Sequence, residues 1–234
     1  MNINGGYTKI QKLIDYEFSD SALIIRALSH SSYANEMKLN KHDDYERLEF
    51  LGDAVLELTV SEFLYREHPE MMEGDMTKLR ASLVCEPTLA YCAKQGLDLG
   101  KFILLGKGED SSGGRNRDSI VSDVFEAIVG ALYLDGGIEP ARKFIERFVL
   151  TDYEKKIEFI DSKTLLQEIA QDQGASLEYE LVEERGPAHD RDYVMRAVFD
   201  GKIIGNGIAK NKKAAQQAAA YEILKKLASH SENN

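Results

Sequence analysis

Tyr45-Glu46-Arg47-Leu48-Glu49-Phe50-Leu51-Gly52-Asp53-Ala54-Val55-Leu56 carries two patterns at once, one acidic and one apolar. Wound at about 100° per residue, the segment places Glu46, Glu49 and Asp53 within about 60° of one another. Leu48, Leu51, Val55 and Leu58 fall on the opposite side. The helical pattern continues to Arg66 and is stopped by Pro69. The spacing predicts a long helix that buries an apolar stripe and turns an acidic stripe the other way.

A second acidic pair stands in Ser122-Asp123-Val124-Phe125-Glu126-Ala127-Ile128-Val129-Gly130. Asp123 and Glu126 share a helix face with Ala127 and Gly130, whose small size leaves room for another helix or a ligand. Val124, Phe125, Ile128, Val129 and Leu132 make the rest of this helix a core helix. An acidic pair three residues apart is ordinarily a solvated face, but carboxylates on a core helix need compensation. If the two acidic faces meet, each like-charged pair at about 4 Å costs about 4 kcal/mol at an effective dielectric of about 20. A divalent cation removes that cost. Oxygen donors without histidine or thiolate suit Mg²⁺, with Mn²⁺ as a substitute. Such an ion keeps waters that can be activated to attack a phosphodiester. The spacing alone does not require the two helices to pack together.

The remaining chain surrounds these helices. Its 234 residues are comfortable for two domains, and 43% hydrophobic with 29% charged residues exclude a compositionally disordered chain. No apolar run approaches the roughly 20 residues of a membrane span. The N-terminal MNINGGYTKI lacks a basic region followed by an apolar one, so no signal peptide is expected. Cys85 and Cys92 form no CxxC pair, which excludes a zinc ribbon and a disulfide scaffold and fits a reducing cytoplasm. Helical patterns cover Thr77 to Ala93, with a turn at Pro87, and Ser119 to Leu134, closed by Gly136-Gly137. Another opens at Pro140. Gly100 to Arg117 reads as a loop.

After Leu150 the character changes. Residues 152–160 read as a linker or a helix extension. A helix over Lys163 to Gln173 ends at Gly174, and alternation at Leu177, Tyr179 and Leu181, then at Val194, Arg196 and Val198, predicts strands. Asp200-Gly201 signals a hairpin, and Ala214 to Leu227 is helical. The expected architecture is an all-α domain over 1–151, the linker, and a small α-β-β-β-α domain over 161–230. The net charge of −11 argues against nucleic acid for the chain as a whole. Fields are screened over about 8 Å, however, so local clustering decides. Between Gly201 and Ala228, six lysines face one acid, Glu222.

ERLEFLGDAVLE resembles the signature of the ribonuclease III family. Glu73-Gly74-Asp75-Met76 with Leu79-Arg80-Ala81-Ser82-Leu83-Val84, the glycine-rich 106–115 stretch, and Asp123-Val124-Phe125-Glu126-Ala127 continue the likeness. The C-terminal part resembles a double-stranded RNA-binding domain, and together they cover about residues 7–229. The resemblance implies an all-α endonuclease domain followed by a small α+β binding domain. It further implies Mg²⁺-dependent cutting of double-stranded RNA to 5′-phosphate and 3′-hydroxyl ends with short 3′ overhangs, and processing of ribosomal RNA precursors and other structured RNAs. Catalytic and metal-binding roles fall on Glu49, Asp53, Asp123 and Glu126. Supporting acids fall on Glu46 and Glu73, and Phe50 matches the knob of a homodimer contact. Two departures stand out: Tyr45 where asparagine is typical, and Glu109-Asp110 where a basic residue is common.

Double-stranded RNA offers a shallow minor groove and phosphates across a narrow major groove. Thr164, Gln167, Glu168 and Gln171 share one polar helix face, which by resemblance enters a minor groove. The Gly186–Asp190 loop, with Pro187 and His189, matches the element that reaches the next one. Lys210, Lys212 and Lys213 gather where the last helix begins, and there side-chain cations and the helix dipole both favour phosphate. Asn211 stands where the family pattern has serine. Two other classes remain: an RNA-binding scaffold with an inactive nuclease fold, which would be expected to lack one of the four acids, and a metal phosphohydrolase built on His42-Asp43, for which His30, His68, His189 and His230 form no ligand set.

Overall fold

The computed structural model describes residues 3–186 and 191–231 apart from Lys41. Contacts divide the chain into two units, Met1–Tyr153 and Glu154–Asn234. No helix among the described residues is long and apolar enough to cross a membrane.

The first unit is helical. It comprises α1 (Ile3–Ile14), α2 (Ser21–Ala27), α3 (Ser31–Glu36), α4 (Glu46–Glu67), α5 (Glu73–Val84), α6 (Glu86–Leu97), α7 (Lys107–Ser111), α8 (Asp118–Gly136) and α9 (Ile138–Ile145), the last extended by a π turn over Glu146–Leu150. Helix α8 is the centre. Ile120, Val121, Val124, Phe125, Ala127, Ile128, Val129, Ala131 and Leu132 are all buried, so it is apolar nearly all round, as an interior helix must be. Helices α2, α4, α6 and α9 pack around it. It ends at Gly137, whose φ of 79° needs no Cβ.

Three expectations are corrected here. Leu58 is 61% exposed, and the buried stripe of α4 is Leu48, Gly52, Val55, Leu56, Thr59, Val60 and Leu64. The buried face is turned toward Gly52 because that glycine, together with Leu48, meets α8. The 77–93 pattern is two helices, broken at Cys85, whose backbone is extended; Pro87 then sits in the first turn of α6, where its missing N–H costs nothing. The 100–117 stretch is a braced segment, with 3₁₀ turns at Leu99–Lys101 and Gly114–Asn116 around α7.

The brace is Arg115. Its guanidinium donates Nε to Asp110 Oδ1 at 2.6 Å and Nη2 to Oδ2 at 3.1 Å, while Nη1 reaches the carbonyls of Gly100 and Ile103 at 3.1 and 2.7 Å. Arg117 pairs with Glu109 at 2.7 Å. Both acids of the Glu109-Asp110 departure are thus neutralised inside the segment and tie it to the start of α8.

The second unit holds the rest of α10 (Tyr153–Gln173), then β1 (Leu177–Arg185), β2 (Asp192–Phe199), β3 (Ile203–Ala209) and α11 (Lys212–Ser231). The 152–160 segment read as a linker or helix extension is helical from Tyr153 onward. The strands form an antiparallel sheet in the order β1-β2-β3. Asp200 and Gly201 have φ of 51° and 66°, and Lys202 N donates to Phe199 O at 3.1 Å, the geometry of a type I′ hairpin turn. Leu166 and Ala170 of α10, Ala197 and Phe199 of β2, and Ala219, Ala220 and Ile223 of α11 form the core.

Alanines let α11 lie directly on β3. A Cβ at Gly205 would stand 2.1 Å from the carbonyl oxygen of Ala219, and one at Gly207 would stand 2.0 Å from that of Ala215. Helix α11 also closes the outer edge of β3. Glu222 accepts from Asn206 N at 2.7 Å, and Lys226 donates to Ile204 O at 2.6 Å. These bonds occupy backbone groups that would otherwise template another strand.

Candidate active site and nucleic-acid surface

The site is built where α4 crosses α8. A Cβ at Gly52 would lie 1.8 Å from the carbonyl oxygen of Glu126, and a Cβ at Gly130 would lie 2.2 Å from that of Leu48. Real Cβ atoms do not come within 3.0 Å. Only glycine at both positions permits this approach, backbone against backbone. Glu49 follows Leu48, Asp53 follows Gly52, and Glu126 supplies the opposing carbonyl. The acids therefore bracket the crossing point.

Their electrostatics report the convergence. Glu49 is pushed up to about 7, first by burial, then by the charges of Asp123, Glu46 and Asp53. Glu126 is pushed up to about 8, first by burial, then by Asp53, Glu49 and Asp123. Asp123 is also raised by burial, against the opposing pull of a hydrogen bond from Tyr45, the charge of His30 and a hydrogen bond from Ser122. Like charges on a half-buried surface repel and favour their protonated forms.

Among the described residues, no three acidic, histidine or cysteine side chains close around a common point as a ready-made cage. Glu49, Asp53, Asp123 and Glu126 flank the α4–α8 crossing without closing around one point. As a donor set they fit a hard divalent ion that brings its own waters: all oxygen, all anionic, on two rigid helices.

The other predicted residues divide. Glu46 is exposed on the same side of α4 and adds its charge to Glu49. Glu73 heads α5, accepts from Thr77 Oγ1 at 3.1 Å, and is not among the charges that shift Glu49 or Glu126. It lines a groove of ≈ 330 Å³ between α4 and α5 with Ser61, Leu64, Tyr65, Met76, Thr77 and Arg80. Phe50 is 82% exposed between Glu49 and Asp53, and Leu58, Tyr65 and Met72 are exposed at 61%, 74% and 73%. Wound on α4, Phe50, Leu58 and Tyr65 fall within about 80° of one another, an uncovered apolar stripe.

In the second unit, Thr164, Gln167, Glu168 and Gln171 are all exposed, opposite the buried Leu166 and Ala170. Lys210, Lys212 and Lys213 are exposed around the start of α11. Asn211 Oδ1 accepts from Ala214 N at 2.8 Å and so caps that helix. Asparagine caps as well as serine does, which accounts for the departure. Pro187 and His189 lie outside the described residues. Spacing gave no sign of one feature: Lys210 pairs with Asp192 at 2.9 Å and Lys212 with Glu184 at 3.2 Å. Glu184 is held below the usual carboxylate range, first by its bond from Lys212 and also by Arg191. Lys226, counted in the basic cluster, serves the β3 edge and Glu222 instead.

Comparison with known proteins gives a consistent picture. The family described as Ribonuclease-III-like matches residues 20–153, and the double-stranded RNA binding motif matches residues 162–227. Relatives named Ribonuclease 3 from Bacillus cereus and Bacillus anthracis are each 48% identical over 220 residues, covering 93% of this chain and 89% of theirs. The solved nuclease domain of ribonuclease III from Campylobacter jejuni is 42% identical with a TM-score of 0.57, covering 62% of this chain and 97% of that one. That structure is described by flexibility in a region involved in dimer formation.

Proposed function

The chain belongs to the ribonuclease III family and is a double-stranded RNA endoribonuclease, and we propose that it works with Mg²⁺ held by Glu49, Asp53, Asp123 and Glu126. The observation that carries this reading is the Gly52–Gly130 contact, which sets the two acid pairs across one helix crossing. When bound, the cation supplies Lewis-acid activation of a water and charge stabilisation at the leaving 3′ oxygen. The chain's own part is to hold four carboxylates on rigid helices, so that repulsion between them is released by the cation. Cleavage then yields 5′-phosphate and 3′-hydroxyl ends with short 3′ overhangs, in ribosomal precursors and other structured RNAs of the cytoplasm. Incubating a perfect RNA duplex with MgCl₂ or with EDTA, and sizing the products, tests this. Cleavage that persists in EDTA would refute the metal role.

The same proposal includes a homodimer. An isologous two-fold contact lets the Phe50–Leu58–Tyr65 stripe meet its own copy, with the α4–α5 groove as a receptacle for the partner's aromatic side chain. A single Phe50→Ala substitution is expected to weaken association about tenfold or more, since buried aromatic anchors dominate such contacts. Light scattering across a dilution series checks it, and an unaltered mass at low concentration removes Phe50 from the interface.

Duplex RNA is bound by the polar face of α10 and by Lys210, Lys212 and Lys213 on phosphates. Lys212→Ala with Lys213→Ala is expected to weaken binding and reduce the salt slope by about 2. Glu184→Gln is expected to act oppositely. Phosphate must displace the carboxylate from Lys212, and an exposed, screened pair of this kind is weak, so binding tightens only a few-fold. Titrations of a duplex at several salt concentrations read both, and equal affinity in all three chains would exclude this lysine cluster.

A further inference from the structure

The geometry points to Tyr45 as a positioning residue that braces the two acid-bearing helices against each other and orients the Asp123 carboxylate toward the cation. This rests on the reading of Asp123 as a metal ligand. Tyr45 immediately precedes α4 and is only 5% exposed. Its carbonyl accepts from Leu48 N at 2.8 Å and from Glu49 N at 2.9 Å, so it forms the first turn of the helix that presents Glu49. Its hydroxyl reaches across to α8 and donates to Asp123 Oδ2 at 3.1 Å. One residue thus touches both halves of the acid set.

Tyr45 is itself held. Its amide donates to Ser29 O at 2.9 Å, and Ser29 is buried. The next residue, His30, sets its ring 5.7 Å from the phenol ring, tilted by 56°. His30 Nδ1 accepts from Ser32 N at 3.1 Å, which fixes the ring at the start of α3. The His30–Leu104 and Leu104–Leu28 backbone bonds, at 3.0 and 2.8 Å, tie this support to the segment that Arg115 clamps. The phenol therefore has little freedom of its own. A carboxylate held from behind by such a group need not be ordered when a cation arrives, and loss of outer partners of this kind typically costs about 10- to 100-fold in metal affinity or activity.

The test is Tyr45→Phe in the full chain, compared with wild type in two titrations. The first is thermal melting without RNA against MnCl₂. The second is cleavage of an RNA duplex against MgCl₂ at saturating RNA. In the variant, the metal needed for a given rise in Tm, and for half-maximal cleavage, is expected to increase about tenfold, with the rate at saturating Mg²⁺ within about threefold of wild type. In an Asp123→Asn background, Tyr45→Phe should add nothing to the melting midpoint, because its action runs through that carboxylate. Identical titrations for wild type and Tyr45→Phe overturn the inference. So does further weakening in the Asp123→Asn background, or a metal-free Tyr45→Phe chain that no longer melts cooperatively, since the hydroxyl would then serve the fold. Failure of the underlying reading looks different: wild type itself would cleave in EDTA and ignore both metals.

Discussion

Glu126→Gln is expected to lower cleavage at saturating RNA and Mg²⁺ by about 10³-fold or more, with duplex affinity within about twofold of wild type. The amide keeps the shape and removes the charge. A cation supplies several kcal/mol of charge stabilisation at the reacting phosphodiester, and each 1.4 kcal/mol lost is about tenfold in rate. The RNA contacts proposed on α10 and α11 are in other elements and are expected to remain.

The same substitution has a second signature that no contact-removing change would give. In the folded chain Glu126 keeps its proton up to about pH 8, against about 4.5 in an open chain. Between those values the folded state binds more protons than the unfolded state, so stability falls as pH rises through that window. Glutamine has no proton to lose. In EDTA, Glu126→Gln is expected to match wild type below about pH 4.5 and to become progressively more stable than wild type up to about pH 8. Added MgCl₂ narrows the gap by stabilising wild type. Urea unfolding at pH 5 and pH 8, with and without Mg²⁺, reads all four values. A wild type more stable than the variant at pH 8 in EDTA would show that burial and the neighbouring acids do not hold the proton on Glu126.

The second large effect belongs to a residue with no chemistry. Gly52→Ala puts a Cβ 1.8 Å from the carbonyl oxygen of Glu126, and backbone on both sides has no flexible end to yield. The helices must part by about 1 Å. Overpacking of this kind costs about 3 kcal/mol, or about 6–12 °C in Tm for a unit near 150 residues. A shift of about 1 Å in catalytic groups costs about 10²-fold in rate. Gly130→Ala should follow it, with its Cβ 2.2 Å from Leu48 O. Gly74→Ala is the control: it lies in α5 with nothing within 4 Å, and there alanine should stabilise by about 0.5–1 kcal/mol. Equal melting temperatures for Gly52→Ala and Gly74→Ala would dismiss the tight crossing.

Much of this was readable along the chain, and the failures have physical causes. The acidic faces of α4 and α8 follow from helical angles alone. The β2–β3 hairpin follows from Asp200-Gly201, because few residues accept φ above zero. Leu58 misled because amphipathic spacing identifies an apolar stripe without saying what covers it. The glycine-rich 100–117 stretch misled because its order comes from the Arg115 guanidinium reaching back to Gly100, Ile103 and Asp110, and not from local propensity. Glu109 and Asp110, which depart from the family pattern, are matched by Arg117 and Arg115, a pairing that depends on the folded segment and not on spacing.

Local periodicity and turn chemistry were enough to define α4, α8, the small sheet and which of their side chains share a face, because each depends on neighbours a few residues apart. The meeting of Gly52 with Glu126, and of Tyr45 with Asp123, was decided only by tertiary structure. These partners are more than seventy residues apart, and nothing in either segment alone encodes the distance between them. That distance is set by the burial of α8 among its neighbours and by the absence of two Cβ atoms at the one place where the helix backbones touch.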